Sequence, residues 1–263
     1  MMKFELQTIY LDEPIVQGRA LDIFYPAEIT RKSAIFFVHG GGWHAGNRTD
    51  YHPIMEELCG RGFVCATTDY RLARPGITPV DQITDIRLAY EKFVIELEKR
   101  GIPTRIAVFG TSAGAHLASL LLCAEPGEVG EENQLTRSWV KPECGLLQAT
   151  PAQYRPWIGA FPHIYNTMER VAGAAYEENP DIYERLSLDR YIRPGNPRLF
   201  FMEAQYEHDF PSKMNYALVE KHWKYKINSW FKVYADAEHG FFYATTRTCQ
   251  REAFEDFIRF TEE

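Results

Sequence analysis

Short apolar runs recur along the chain, separated by stretches long enough to hold a helix. Ala34-Ile35-Phe36-Phe37-Val38 is continuous rather than alternating, the pattern of a strand covered on both faces. Phe63-Val64-Cys65-Ala66-Thr67-Thr68 and Ile106-Ala107-Val108-Phe109 repeat it. Gly145-Leu146-Leu147, Leu199-Phe200-Phe201-Met202 and Phe231-Lys232-Val233-Tyr234 follow. Between these runs the pattern takes a helical period. The clearest case starts at Asp85, puts Ile86, Ala89, Tyr90, Phe93 and Leu97 on one face, and stops at Gly101. Residues 5 to 25 read as two strands around a turn, the second running from Ala20 to Pro26. Strand–helix alternation over this length predicts an α/β fold, a mostly parallel sheet with helices on both faces.

The stretch from about Glu125 to Asn196 breaks the rhythm, being rich in Pro, Gly, Tyr and charge. It predicts one core strand followed by a helical cap excursion, within a single domain spanning residues 1–263. Tyr154, Trp157, Phe161 and Tyr165 are candidates to line a substrate pocket. Packing within the cap is the alternative.

Composition narrows the partners. The 45% apolar and 25% charged residues are ordinary for a soluble globular chain. A net charge of −7 supplies no basic field for nucleic acid or an anionic membrane, so the expected partner is a small molecule. A homodimer is left open. The five cysteines are odd in number and lack metal-ligand spacing, which points to reduced, buried thiols. Met1-Met2-Lys3-Phe4-Glu5-Leu6 turns polar too soon for a signal peptide, and no apolar run is long enough to span a bilayer. The expectation is a cytoplasmic location.

The chemistry concentrates in three places. Gly110-Thr111-Ser112-Ala113-Gly114 follows the run Ile106–Phe109 and opens a helical run reaching Cys123. A G-x-S-x-G between strand and helix is a nucleophile elbow, with Ser112 on a turn too sharp for a side chain at either glycine. His39-Gly40-Gly41-Gly42-Trp43 follows the strand ending at Val38. Its glycines let backbone N–H groups approach a substrate oxygen, so Gly41, Gly42 and the N–H of Ala113 form the candidate oxyanion hole. Trp43 joins the candidate pocket residues, and His39 is read as ordering the loop. His239 lies after the last strand and before a C-terminal helical run, where the order Ser…Asp/Glu…His places the base. His116 and His208 are read as structural. The acid falls in the loop after Leu199–Met202, where Glu207 and Asp209 both qualify.

Together His39–Trp43, Asp69-Tyr70-Arg71-Leu72-Ala73, Gly110–Ala118, Tyr183-Glu184-Arg185-Leu186-Ser187 and Glu238-His239-Gly240-Phe241 resemble the α/β-hydrolase superfamily. The likeness is to small bacterial esterases of the hormone-sensitive-lipase and acetyl-xylan/feruloyl-esterase kind. It implies the α/β-hydrolase fold and hydrolysis of small carboxylic esters through an acyl-enzyme, with no metal or organic cofactor. The acid loop of such proteins reads H-G-x-x-D-x-x-V-P. Anchoring that pattern on Phe210-Pro211 favours Glu207 as the acid, leaves Asp209 as runner-up, and puts Glu203-Ala204 where H-G usually stands. The D-P-x-x-D of hormone-sensitive-lipase relatives is missing. Other readings stay open: an arylformamidase on the same triad, a peptidase, or a ligand-binding module on an inactive hydrolase scaffold.

Overall fold

The computed structural model describes residues 4–12 and 19–263. One sheet of eight strands organises it, in the order β1-β2-β4-β3-β5-β6-β7-β8. β1 (Phe4–Tyr10) and β2 (Ala20–Pro26) form the antiparallel end; most of the turn between them lies outside the described residues. β2 also pairs antiparallel with β4 (Cys65–Thr68). From there β3 (Ala34–Val38), β5 (Ile106–Thr111), β6 (Cys144–Gln148), β7 (Arg198–Tyr206) and β8 (Trp230–Glu238) continue the sheet in parallel. This is the α/β-hydrolase fold.

Helices cover both faces, as the unbroken apolar strands require. α2 (Pro79–Lys99), α3 (Ala113–Cys123) and α6 (Ser212–Lys224) pack one face around Phe36, Val108, Leu147 and Phe201. α1 (His52–Gly60) and α7 (Thr248–Glu262) pack the other around Ile35, Phe37, Phe109 and Phe200. Burial of these side chains supplies the main driving force, about 25 cal/mol per Å² of apolar surface. All five cysteines are buried and unbridged. Among the described residues no helix is long and apolar enough to cross a membrane.

Three boundaries differ from the sequence reading, each for a physical reason. α2 begins at Pro79, ahead of Asp85, because Thr78 and Asp81 cap it: the Asp81 carboxylate accepts from the Thr78 N–H at 2.9 Å. Asp85 instead serves inside the helix, fully buried and accepting from the backbone and guanidinium of Arg71 at 2.8 Å. β7 and β8 each run several residues past their apolar cores, through Glu203–Tyr206 and Ala235–Glu238, where polar residues conceal the strand.

The cap between β6 and β7 contains α4 (Pro162–Ala172) and α5 (Pro180–Arg185). The hydroxyl of Ser187 fastens it, accepting from the Tyr154 N–H at 2.8 Å and donating to the Tyr183 carbonyl at 2.7 Å.

Candidate active site

Ser112 sits between β5 and α3 at φ 51°, ψ −124°, a conformation non-glycine residues rarely adopt. The flanking glycines explain how the chain holds it there. A Cβ on Gly110 would come 2.4 Å from the Gly114 carbonyl oxygen, and one on Gly114 would come 2.3 Å from that of Val38. The Ser112 N–H donates to the Gln148 carbonyl at 2.9 Å, and its own carbonyl accepts from His116 N–H at 3.0 Å. The turn is thereby fixed on both sides, and α3 directs its free N–H end at the serine.

His239 follows β8 and reaches the same cavity as Ser112. Its Nδ1 lies 3.0 and 2.9 Å from the two carboxylate oxygens of Glu207, whose side chain is only 2% exposed. Glu207 Oε1 also accepts from the N–H groups of Asp209 (2.9 Å) and Phe210 (3.4 Å), so the acid loop curls around its own carboxylate. Burial works against ionisation of Glu207, but its His239 contact and these N–H donors hold its pKa below the usual value. Burial also pulls the His239 imidazole down, and here the Glu207 hydrogen bond and charge, with Asp209 and Glu203 behind, outweigh it. The pKa of His239 is raised. Asp209 stands off, with Oδ2 3.8 Å from Nδ1 and Oδ1 3.3 Å from Nε2 of His163 on α4.

The glycine loop turns through positive φ at Gly41 (109°) and Gly42 (57°). Gly41 carbonyl accepts from the N–H groups of His44 and Ala45, closing the turn, and a Cβ there would strike the Ala45 oxygen at 2.3 Å. The N–H groups of Gly41, Gly42 and Ala113 donate to nothing among the described residues. His39 is fully buried beneath this loop, stacked on Tyr70 at 4.2 Å, while the Tyr70 hydroxyl donates to the His39 carbonyl.

A cavity of about 370 Å³ joins these parts, lined by Gly40–His44, Thr111, Ser112, Ile164, Thr167, Asp209, Phe210, His239 and Gly240. Of the five expected pocket aromatics, only Trp43 lines it. Tyr154 is fully buried beneath the cap, its hydroxyl donating to the Met168 carbonyl, so it carries α4 and does not meet the cavity. Trp157 packs behind the wall against Phe210, ring centroids 6.3 Å apart. Phe161 and Tyr165 do not line the cavity either. Ile164 and Thr167, three residues apart on α4, fill that wall instead.

The BD-FAE family matches residues 21–221. The chain belongs to the BD-FAE family. Among curated relatives, it is 42% identical over 89 residues to the probable carboxylic ester hydrolase LipM of Mycobacterium tuberculosis, covering 33% of this chain and 20% of that one. With esterase LipQ of the same organism the identity is 25% over 201 residues, 71% of this chain and 45% of the relative. With the isoprenylcysteine alpha-carbonyl methylesterase of Arabidopsis thaliana it is 30% over 142 residues, 52% and 32%. This BD-FAE chain thus aligns with less than half the length of these relatives. Solved structures share its fold. Esterase B of Lactobacillus rhamnosis superposes with a TM-score of 0.82 at 19% identity, over 98% of this chain and 85% of that one. Thermogutta terrifontis esterase 2 with propionate bound gives 0.76 at 23%, over 97% and 93%.

One supporting residue of this BD-FAE protein, Gln148, escapes a reading of the sequence, and another, His116, takes the structural role expected of it. Gln148, at the end of β6, directs its amide nitrogen to Thr111 Oγ1 at 2.9 Å and its oxygen to the N–H groups of Phe241 and Phe242 at 3.2 and 3.1 Å. It clips the histidine loop to the elbow. His116 accepts from the Trp43 indole N–H at 3.1 Å and pairs through Nε2 with the Leu186 carbonyl at 2.6 Å. Burial holds its pKa down to about 4, so it is a neutral link between glycine loop and cap. Glu207, Asp209 and His239 also offer three ligand atoms within 4.8 Å of one another. The Nδ1 of this histidine is already engaged by Glu207.

Proposed function

We propose that this chain is a serine esterase that hydrolyses small carboxylic esters. Ser112 attacks the ester carbonyl while His239 accepts its proton through Nε2. Glu207 holds the Nδ1–H tautomer and stabilises the imidazolium that forms. The oxyanion takes N–H donors from Gly41, Gly42 and Ala113, and water then releases the acyl group with His239 again as base. The observation that carries this reading is the strained Ser112 sharing one cavity with a histidine whose far nitrogen rests on a buried carboxylate. A cavity of about 370 Å³ walled by Trp43, Ile164 and Phe210 suits a small apolar acyl or alcohol group. The esterase names of the relatives support the same class.

The test is hydrolysis of p-nitrophenyl acetate by wild type and Ser112→Ala, with folding checked by circular dichroism. Turnover falls to near background in the variant, because a triad acts as a unit. A folded Ser112→Ala protein that keeps more than about a hundredth of wild-type kcat/KM refutes the assignment, since loss of a triad nucleophile costs orders of magnitude more. Acetylated sugars, feruloyl esters, longer acyl esters and N-formylkynurenine, assayed side by side, then define the substrate.

A further inference from the structure

Glu203 has no part in the triad, yet it is fully buried close to it. It lies on β7, on the sheet face shared by Leu199 and Phe201, at the position where the usual loop pattern begins with histidine. Its partner is Asn215 on α6, whose Nδ2 donates both to Glu203 Oε1 at 2.9 Å and to the Thr150 carbonyl at 3.1 Å. Both amide hydrogens are then committed. Three buried oxygens remain without partners among the described residues: Glu203 Oε2, Asn215 Oδ1 and Thr150 Oγ1.

The hydrogen count decides the protonation state. With Glu203 ionised, its Oε2 and the Asn215 Oδ1 would both stand buried with no donor among the described residues. Leaving such groups unsatisfied in a dry interior is costly, and more so for a charge. A proton on Glu203 Oε2 supplies the missing donor. The charged groups that face Glu203 are Glu207, from the loop after β7, and His239, from the loop after β8. α6 presents neutral Asn215 and the loop after β6 the Thr150 carbonyl. Burial pushes the Glu203 carboxyl up to about 8, and the Glu207 charge adds to the rise while Asn215 and His239 oppose it.

We propose that Glu203 is a positioning residue held as a neutral acid, its proton completing a Glu203–Asn215–Thr150 cluster that backs the Glu207–His239 pair. Loss of that proton leaves a buried charge without a donor, which loosens the cluster that holds Glu207 and His239 in place. kcat/KM therefore bends downward at mildly alkaline pH, where a triad without this group would plateau. The inference rests on the triad reading above.

Three measurements test it. Difference infrared spectroscopy reads the carboxylic-acid C=O band in wild type, Glu203→Gln and Ser112→Ala. The band is present at neutral pH in wild type and Ser112→Ala, disappears as the pH is raised, and is missing from Glu203→Gln. Profiles of kcat/KM from about pH 5 to about pH 10 show the alkaline bend in wild type and not in Glu203→Gln. Glu203→Leu, lacking both acceptor and donor, loses about tenfold or more in kcat with KM little changed, and Glu203→Gln restores it by reproducing the acceptor–donor pair of the protonated acid. No titrating band in folded wild type, or an alkaline bend that persists in Glu203→Gln, overturns the proposal. Because the band is also read in Ser112→Ala, its fate there is independent of whether the esterase reading stands.

Discussion

Replacing Glu207 by Gln tests the acid through its hydrogen-bond geometry. Oε1 accepts from the N–H of Asp209 at 2.9 Å and of Phe210 at 3.4 Å, so the amide oxygen introduced by Glu207→Gln is drawn to that position. The new amide nitrogen then occupies the Oε2 position, 2.9 Å from His239 Nδ1. To the extent that this nitrogen prevails over the retained oxygen, which lies 3.0 Å from the same Nδ1, Nδ1 becomes the acceptor and Nε2 carries the proton. That tautomer cannot take the serine proton. An acid-to-amide change with this consequence costs about 10⁴ in a well-studied protease, and a loss of about 10³- to 10⁴-fold is expected here. Asp209, with Oδ2 3.8 Å from Nδ1, is placed to replace it in part. Asp209→Asn alone therefore costs less than about tenfold, and the double variant is worse than Glu207→Gln by more than that single effect, the mark of coupled neighbours. The assay is kcat/KM on p-nitrophenyl acetate for both singles and the double, with thermal unfolding to exclude misfolding. Near wild-type activity in Glu207→Gln with a crippled Asp209→Asn would refute the reasoning and transfer the role to Asp209.

The acid limb of kcat/KM lies above the ordinary histidine value of 6.5, because His239 has a raised pKa and its protonated form cannot accept the Ser112 proton; in Glu207→Gln the residual activity shows that limb moved to lower pH. EDTA leaves wild-type kcat/KM unchanged, since Nδ1 of His239 is engaged by Glu207; a loss that added zinc restores would contradict the mechanism. His116→Ala unpairs the Trp43 indole and the Leu186 carbonyl inside the core and lowers stability by about 3 kcal/mol in urea denaturation. Gly114→Ala, whose Cβ would sit 2.3 Å from the Val38 oxygen, costs about 3 kcal/mol or more or abolishes soluble expression, and ordinary stability would mean the elbow relaxes freely.

Much of this protein is legible along the chain because its determinants are local. A strand buried on both faces must be apolar at every position, so Ala34–Val38 and Ile106–Phe109 announce themselves. The elbow is equally local, since the contacts that forbid a side chain at Gly110 and Gly114 follow from the sharpness of one turn. The order of serine, acid and histidine picks out His239 from eight histidines, because a parallel sheet brings the ends of its strands to one edge. What depends on distant neighbours is not written in any window. Glu207 and Asp209 are two residues apart and chemically alike; the curl of the loop places one carboxylate against Nδ1 and leaves the other at 3.8 Å. Tyr154 and Trp157 look like pocket residues by type, but the path of the cap buries one beneath α4 and puts Ile164 and Thr167 at the cavity. Glu203 falls after the apolar run Leu199–Met202 in the sequence, and only the fold shows β7 continuing through it and Asn215 of α6 bonding it. Local sterics and periodicity act over a few residues and so survive in the sequence. Desolvation and hydrogen-bond pairing are summed over whatever the fold brings near, and only the tertiary structure supplies that sum.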